Sequence, residues 1–401
     1  MKKAGLICVA VILAIMGFIN PSSAADPIKI GVIASITGPA SFLGEPQKNT
    51  VQLIQDRLNA EGGINGTPVE IVVEDSKSDE SQAVLATKKL IEKDNVVAII
   101  GSSTTGESLA MIPVCEAAKT PMISMAAAMK IVTPDDEYKK IMESPNAAME
   151  VPSIQRSMIF KTAQTDNSAV EAIFEYMKKK AITKVGIVSV SSAFGATGRQ
   201  ELKRLAPKYG ITVSADETYG PKDADMTAQL TRIKSTDAQA IINWSVGPTQ
   251  VLVIKNWKAL AITLPLYQSH GFGSKKNIEL AGGDAEGVIA PLGRLVVADK
   301  IAKDHPQYQV LSKYVSEYEK RFKSEVSTFG GHGYDALALC VEAIKKVGTD
   351  KAKIRDYLES NVKNWPGISG IFNMSVTDHT GMDHKAFEII QVVKGDWEFA
   401  K

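Results

Sequence analysis

The chain is poor in cysteine, with three in 401 residues, and nearly without net charge, with 46 Lys and Arg against 45 Asp and Glu. So few cysteines exclude a small domain stapled by disulfides. Cys115 and Cys340 both lie in apolar helical patterns, which fits buried free thiols better than the disulfide that an oxidising compartment would allow. The charge balance offers no basic surface for nucleic acid or for a membrane surface.

Long apolar runs are missing except over residues 4–19, which lie between the basic start MKK and the small residues SSAA at 22–25. This order is typical of a secretion signal, so we predict that residues 1–25 form a signal peptide cleaved after Ala24 or Ala25. An uncleaved anchor is the alternative, but a spanning helix needs roughly 20 residues. No cysteine stands at the cleavage site to carry a lipid. We therefore expect an exported soluble protein, in the periplasm if the source is a bacterium.

Catalytic motifs are also absent from the sequence. It contains no Gly-x-Ser-x-Gly elbow, no His-Glu-x-x-His and no Gly-Lys-Ser/Thr phosphate loop. His379 and His384 form a histidine pair at short spacing, but a polar turn explains them better than a metal site. His332, in Gly330–Gly333, is expected in a loop that opens a helix over Tyr334–Lys346. We therefore predict that the protein is not an enzyme and binds no metal or cofactor.

What the sequence does contain is a regular alternation of strand-length apolar runs and helix-period segments. The first unit has a strand at Ile28–Ala34, a polar loop, a helix starting at Glu45-Pro46 and a strand at Val69–Glu74. Such alternation predicts parallel sheets covered by helices, and about 375 residues after cleavage suggest two of them. Residues 130–158 interrupt this alternation of strands and helices, and we predict that they form a segment that runs over the surface. Two final strand-like runs, 368–373 and 387–394, are typical of a terminal hairpin.

Ligands of open α/β sheets bind beyond the carboxyl ends of the strands, so the loops there are candidate sites. The loop at 35–45 is the first of these. Four hydroxyl residues at 102–105 follow a strand and open a helix, beside a second strand end at 124–128. Free N–H groups and hydroxyls at a helix start suit a carboxylate, and helix capping is the alternative reading of the hydroxyls.

Aromatic residues cluster at the strand ends of the second half. Each of these side chains alone could simply fill space in the hydrophobic core. A series of loops that offer apolar faces and polar groups is, however, typical of a small-molecule pocket. These aromatic residues are Phe194, Trp244, Tyr267, His270 and Phe272.

Several blocks resemble, in order, the periplasmic solute-binding proteins of branched-chain amino-acid-type ABC importers. They are GVIASITGPASFLGEPQKN, AEGGINGTPVEIVVEDSKSD, IIGSSTTGESLAMIPVCEAAKTPMIS, VSSAFGATGR, PLYQSHGFGS and AGGDAEGVIAP. The resemblance implies an α/β fold of two Rossmann-like lobes joined by a three-stranded hinge, the type I periplasmic binding protein fold, with the ligand between the lobes. Lobe 1 would comprise residues 26–162 plus 292–370, and lobe 2 residues 163–291 plus 371–401.

The resemblance also implies site residues. In amino-acid-binding members, the hydroxyl loop and the next strand end meet the ligand carboxylate, and a carboxylate of the second lobe meets its ammonium group. The ligand-binding positions that we expect are Phe42, Leu43, Ser103, Thr104, Thr105, Ala126, Ala128, Phe194, Val246 and His270.

This chain differs from the family pattern at positions where a carboxylate or a hydroxyl group is replaced. His270 stands where the acidic residue would align, Phe194 lacks the usual aromatic hydroxyl, Leu43 replaces a common Tyr and Ala128 a common Thr. A buried ammonium without an anion costs several kcal/mol, so a hydrophobic or aromatic carboxylate is slightly favoured over a branched-chain amino acid. His270 would then bind a second polar group or help to neutralise the carboxylate. The alternative is an alignment slip, with Glu107 or Asp223 supplying the acid.

The function implied by the resemblance is a solute receptor that closes by hinge motion and delivers its ligand to the permease subunits of an ABC importer. A ligand-sensing protein that signals to a membrane receptor or regulator is the alternative, and the missing nucleophile elbow argues against an α/β hydrolase. A monomer is the default state for a receptor that works by hinge closure.

Overall fold

The computed structural model describes residues 26–144 and 152–401, so the predicted signal peptide lies outside the described residues. Within the part described, no helix has both the length and the apolar character needed to cross a membrane. The first sheet has five strands in the order β2-β1-β3-β4-β5, all parallel. Its elements are β1 (Ile28–Ala34), α1 (Ser41–Ala60), β2 (Val69–Asp75), α2 (Glu80–Glu92), β3 (Ile99–Gly101), α3 (Thr105–Ala117), β4 (Met122–Ser124), α4 (Asp135–Glu143) and β5 (Ile159–Lys161).

The second sheet has seven strands in the order β14-β13-β10-β9-β8-β6-β7. The five strands from β10 to β7 are parallel, and β13 and β14 add an antiparallel edge. Its elements are α5 (Asp166–Lys179), β6 (Lys184–Val190), α6 (Ala193–Leu205), β7 (Thr212–Tyr219), α7 (Thr227–Lys234), β8 (Ala240–Trp244), α8 (Pro248–Ala259), β9 (Leu266–Gln268), α9 (Lys275–Ala281), β10 (Ile289–Leu292), β13 (Glu388–Val393) and β14 (Asp396–Phe399).

Three further helices return to the first sheet. Leu337, Cys340 and Ile344 pack in one core with Ile30 and Val32 of β1, which is why this helical segment is so apolar. The returning elements are α10 (Tyr308–Phe322), α11 (Thr328–Val347), α12 (Lys351–Asn361) and the small hairpin of β11 (Trp365–Pro366) and β12 (Ile371–Phe372).

The chain therefore passes between the two sheets three times, after β5, β10 and β12. The three crossings lie together. The Gln164 side chain donates from Nε2 to the carbonyl oxygen of Ser369 at 2.7 Å, and a Cβ on Gly293 would lie 2.9 Å from the same Nε2. Asp335 of α11 accepts from the backbone N–H of Ile368 and of Ser369, which fixes the third crossing to the first lobe. Phe372 and Met374 stay in the core of the first sheet. The lobe boundaries at 162, 291 and 370 stay predictions.

Two helices begin earlier than the sequence pattern predicts. The first is α1, which begins at Ser41 instead of Glu45 and carries Pro46 in its interior, where the missing N–H leaves the carbonyl of Phe42 without its helical donor. The second is α11, which begins at Thr328, so the FGGHG segment is helix and not loop. Its glycines allow close packing, since a Cβ on Gly331 would lie 2.6 Å from Cγ2 of Ile368.

The predicted terminal hairpin is wrong in its pairing. Strand β13 pairs with β14, which the sequence pattern missed, and the run at 368–373 supplies β12, which pairs with β11. The excursion at 130–158 contains helix α4, and its residues 145–151 lie outside the described part.

The prediction of buried free thiols is confirmed. Cys115 and Cys340 are both unpaired and fully buried. Burial raises the pKa of each thiol to about 12, because the thiolate would lose its hydration. Both cysteines therefore act as small apolar core residues.

The close packing at Gly331 generates a stability prediction. Gly331→Ala should lower the free energy of unfolding by about 1–3 kcal/mol, even though alanine is the better helix former, because the added methyl overlaps Ile368. Urea denaturation measures this. Gly283→Ala is the control, because a Cβ there would meet no atom within 4 Å. Equal stability of the two variants would contradict the packing argument.

Candidate functional site

A cavity of about 600 Å³ lies between the two sheets, beyond the carboxyl ends of their strands. The first lobe contributes the start of α1, the loops after β3 and β4, and the start of α11. The second lobe contributes the loops after β6, β8 and β9. Nine of the ten predicted positions line this cavity, namely Phe42, Leu43, Ser103, Thr104, Thr105, Ala126, Phe194, Val246 and His270.

The tenth predicted position, Ala128, is placed elsewhere. It is fully buried in the core beneath the loop and precedes the short 3-10 helix Met129–Ile131. Its neighbour Ala127 lines the cavity instead. The structure therefore does not bring the Ala128 side chain to the site.

The hydroxyl loop divides its side chains between capping and the cavity. Ser103 Oγ donates to Gln47 Oε1 at 2.5 Å, and Thr104 Oγ1 accepts from the backbone N–H of Glu107 in a capping box that begins α3. Thr105 Oγ1 is buried and has no partner among the described residues. Thr105 is thus the member of the loop whose hydroxyl remains available to a ligand.

Glu107 is not a free acid for a ligand ammonium. Its buried carboxylate accepts hydrogen bonds from the hydroxyls of Ser35, Ser76, Ser102 and Thr104 at 2.5–3.0 Å, and it does not line the cavity. Asp223, the other candidate acid, accepts from the backbone N–H of Gly220 at 2.7 Å and does not line the cavity either. Neither residue supplies an anion to the cavity wall.

His270 stands among three aromatic side chains. Its ring centroid lies 5.4 Å from Phe194, 5.7 Å from Trp244 and 5.7 Å from Phe387, all with edge-to-face geometry. Neither ring nitrogen has a hydrogen-bond partner in the described ranges. Burial lowers the pKa of His270 to about 3, so the imidazole is neutral at neutral pH. It can form hydrogen bonds but does not bring a positive charge to a ligand.

His332 and Phe329 also line the cavity, and the sequence reasoning missed both. They belong to the first turns of α11, which the sequence pattern predicted as loop. Phe329 packs edge-on against Phe42 at 5.8 Å, and Nε2 of His332 is buried without a partner in the part of the chain described. The apolar Phe42–Phe329 pair and the His332 nitrogen together form the floor on the side of the first lobe.

Two buried titratable side chains, Lys161 and Asp166, lie behind the cavity wall. Lys161 ends β5 and donates from Nζ to the carbonyl oxygen of Ala163, and Asp166 begins α5 and accepts from the Thr197 hydroxyl at 2.6 Å. Burial lowers the pKa of Lys161 to about 7 and raises the pKa of Asp166 to about 7. Neither side chain lines the cavity. Among the described lining residues, Glu80 alone is charged. It is exposed, and its carboxylate lies beside Gly106 at the start of α3, where a Cβ on Gly106 would overlap Oε1.

Of the two histidines near the C-terminus, His379 lies in a polar turn and His384 begins the short 3-10 helix His384–Ala386. Asp378 accepts from the backbone N–H groups of Thr380 and Gly381, which shapes the turn. His379 stacks on Phe160 at 4.1 Å and lies between the carbonyl of Ile159 and Glu359. The turn interpretation therefore agrees with the position of His379.

The chain is similar in sequence and in fold to proteins of known class. Residues 27–396 match the model of a family described as periplasmic binding protein. A leucine-, isoleucine-, valine-, threonine- and alanine-binding protein of Pseudomonas aeruginosa is 25% identical over 359 residues, which cover 88% of each chain. An extracellular ligand-binding receptor from Rhodopseudomonas palustris HaA2 is 30% identical with a TM-score of 0.82, over 93% of this chain and 99% of that one.

A likeness of fold extends to receptors with lower identity. The substrate-binding protein LivJ of a branched-chain amino acid transporter from Streptococcus pneumoniae, solved in complex with isoleucine, has a TM-score of 0.76 at 22% identity. The match covers 93% of this chain and 98% of that chain.

The network around Glu107 generates a prediction. Glu107→Gln should lower the free energy of unfolding by about 2–4 kcal/mol, because an amide N–H₂ would replace an oxygen that accepts from hydroxyls in a buried position. Urea denaturation measures the loss. The control is Glu61→Gln at the exposed end of α1, which should change stability by less than about 0.5 kcal/mol. A loss at Glu107 no larger than that of the control would show that the carboxylate does not hold the loop.

Proposed function

This chain belongs to the periplasmic binding protein family, and from that premise we propose that it is the exported solute receptor of an ABC importer. It closes by hinge motion on a small carboxylate in the cleft and delivers this ligand to membrane permease subunits. The matches confirm the predicted family, the two-lobed α/β fold and the prediction that the protein is not an enzyme. The periplasmic location, the monomeric state and the lobe boundaries are part of the proposal.

The start of α3 supports a carboxylate as one end of the ligand. Thr105 and Gly106 line the cavity at the first turn of this helix, where N–H groups point out of the helix and the dipole favours negative charge. The unpartnered hydroxyl of Thr105 adds a donor at the same place. A carboxylate here would accept from both the hydroxyl and the helix start.

The apolar lining that both lobes contribute supports an apolar body in the ligand. Phe42, Leu43, Phe194, Val246 and Phe329 give the cavity its walls, and the described lining has no buried carboxylate. A ligand ammonium placed there would lose its hydration without gaining an anion, which costs several kcal/mol. The observation that carries the proposal is this combination of an anion-binding helix start with uncharged aromatic walls. It favours a hydrophobic or aromatic carboxylate.

A branched-chain amino acid is the second candidate, because relatives that cover most of this chain are named for binding leucine, isoleucine and valine. Such a ligand would have to satisfy its ammonium with neutral acceptors such as His270, His332 and backbone carbonyls. A sensory role remains the alternative to transport, and no feature of the described residues favours it.

A thermal-shift screen tests the ligand class. The chain from residue 26 should melt several degrees higher with a saturating aromatic acid such as benzoate or 3-phenylpropanoate, because a ligand at 100 times its Kd stabilises the folded state by about 2.7 kcal/mol. Leucine, isoleucine and valine form the comparison panel. Stabilisation by leucine and by none of the acids would overturn the preference for a simple carboxylate. No stabilisation by either panel would remove small carboxylates as ligands.

The Thr105 hydroxyl offers a test that separates binding from folding. Thr105→Val should weaken the affinity for the stabilising acid about 10-fold or more, because a hydrogen bond to a charged group is lost. The empty protein should keep or raise its Tm, because this hydroxyl has no partner in the described structure. Isothermal titration calorimetry and thermal denaturation measure the two effects.

Thr87→Val is the matched control for Thr105→Val. Thr87 is buried in α2, away from the cavity, and its hydroxyl donates to the carbonyl of Ala83 at 2.8 Å. This variant should lose some stability and keep the wild-type affinity. If Thr105→Val binds the acid as tightly as the control does, the hydroxyl is not a ligand contact.

A further inference from the structure

We propose that Asp166 is a positioning residue for the ligand: its carboxylate sets the tautomer of His270, so that His270 accepts a hydrogen bond from a hydroxyl at the far end of the ligand. The inference rests on the proposed function and deepens it. It names the ligand class as a carboxylic acid that carries a hydrogen-bond donor remote from the carboxylate, such as a hydroxylated aromatic acid.

One oxygen of the Asp166 carboxylate has a hydrogen-bond partner, and the other has none among the described residues. The Asp166 side chain is almost completely buried at the start of α5, and its Oδ2 accepts from the Thr197 hydroxyl at 2.6 Å. Its Oδ1 has no partner among the residues described and lies 3.9 Å from Nε2 of His270. The anchored carboxylate therefore presents a free oxygen to the imidazole.

The neutral imidazole has one N–H, and the nearby carboxylate decides which nitrogen carries it. An Nε2 lone pair that faced Oδ1 would place two acceptors against each other, whereas Nε2–H can donate to Oδ1 after a shift of about 1 Å. Carboxylates commonly fix histidine tautomers in this way. Nδ1 then keeps its lone pair, and it is buried without a partner within the described residues. It is the nitrogen left for a ligand, and it accepts.

The surroundings of His270 favour a neutral ring. Burial lowers the pKa of His270 most, and His332 and Lys161 act in the same direction. Burial and Glu201 raise the pKa of Asp166 to about 7, whereas the hydrogen bond from Thr197 and a protonated Lys161 favour its carboxylate form. At about pH 8, above the pKa of both Asp166 and Lys161, Asp166 is mainly a carboxylate, and His270 and Lys161 are mainly neutral.

Three matched acids test whether Nδ1 of His270 accepts a hydrogen bond from the ligand. At the far end of the ring, 3-(4-hydroxyphenyl)propanoate carries a donor and acceptor, its 4-methoxy analogue carries an acceptor only, and 3-phenylpropanoate carries neither. Titration calorimetry of the wild-type protein at about pH 8 should show the hydroxy acid binding about 10-fold or more tighter than the methoxy acid, because Nδ1 can accept from the first and faces a lone pair on the second.

Asp166→Asn should reverse this preference. The Thr197 hydroxyl should keep donating to the side-chain oxygen at position 166, so the new N–H₂ group faces Nε2 of His270. Because this group donates to Nε2, the ring proton moves to Nδ1. The ratio of hydroxy to methoxy affinity should fall about 10-fold or more, while 3-phenylpropanoate binding changes less than about 3-fold. In a His270→Phe background, Asp166→Asn should leave the ratio unchanged, because no tautomer is left to set.

A direct measurement covers the case in which Asp166→Asn does not fold. The ¹⁵N shifts of the His270 ring in the wild-type protein, assigned by loss of signal in His270→Phe, should report the Nε2–H tautomer, and the opposite tautomer overturns the inference. An equal loss of affinity for all three probes in Asp166→Asn would show a purely structural role and also overturns it. If the wild type binds none of the acids, the proposed function fails. If it binds them without discriminating hydroxyl from methoxy, this inference alone fails.

Discussion

Buried polar groups must find partners, and this constraint explains how the cleft is built. Loops beyond the strand ends bring many hydroxyls together, and the single carboxylate of Glu107 accepts from four of those in the first lobe. After this pairing a few buried polar atoms remain open at the cavity wall. They are Thr105 Oγ1, Thr249 Oγ1, Nε2 of His332 and Nδ1 of His270, whose Nε2 faces Asp166. These atoms define where a ligand has to offer polar groups.

The placement of charge follows the same constraint. A full charge at the cavity wall would have to be desolvated with each ligand, and among the described residues the buried wall has none. The charges lie one layer behind, where Lys161 donates to a backbone carbonyl and Asp166 is held by Thr197. From there, they can act on His270 without losing hydration when the ligand binds. A cleft of this kind selects by hydrogen-bond direction and shape, and less by the attraction of opposite charges.

Much of this could be predicted from the sequence, for reasons that also explain the failures. Apolar runs such as Ile28–Ala34 predicted parallel strands, and parallel strands bring their carboxyl ends to one edge, so the loops at Thr105 and His270 were expected at the site. His332 was not, because the FGGHG pattern predicted a loop and its glycines serve helix packing instead. Ala128 was expected by resemblance alone, and its side chain turned into the core.

The role proposed for Asp166 could not be predicted from the sequence, because it depends on three segments that are far apart in the chain. The sequence indicates a helix start near residue 166, but not that its carboxylate reaches Thr197 on one side and His270 on the other.

The position of these residues connects recognition to closure. Lys161 ends a strand of the first sheet, Asp166 begins a helix that packs on the second, and Ala163 between them lines the cavity. The proposed rotation of one lobe against the other would therefore bend the chain within a few residues of the Asp166–His270 contact. A ligand that meets Thr105 in the first lobe and His270 in the second would gain both hydrogen bonds as the lobes approach, which would give it a higher affinity for the closed form. A ligand with a single polar end would lack one of these hydrogen bonds, so the proposed hydrogen bond to His270 would contribute both to specificity and to closure.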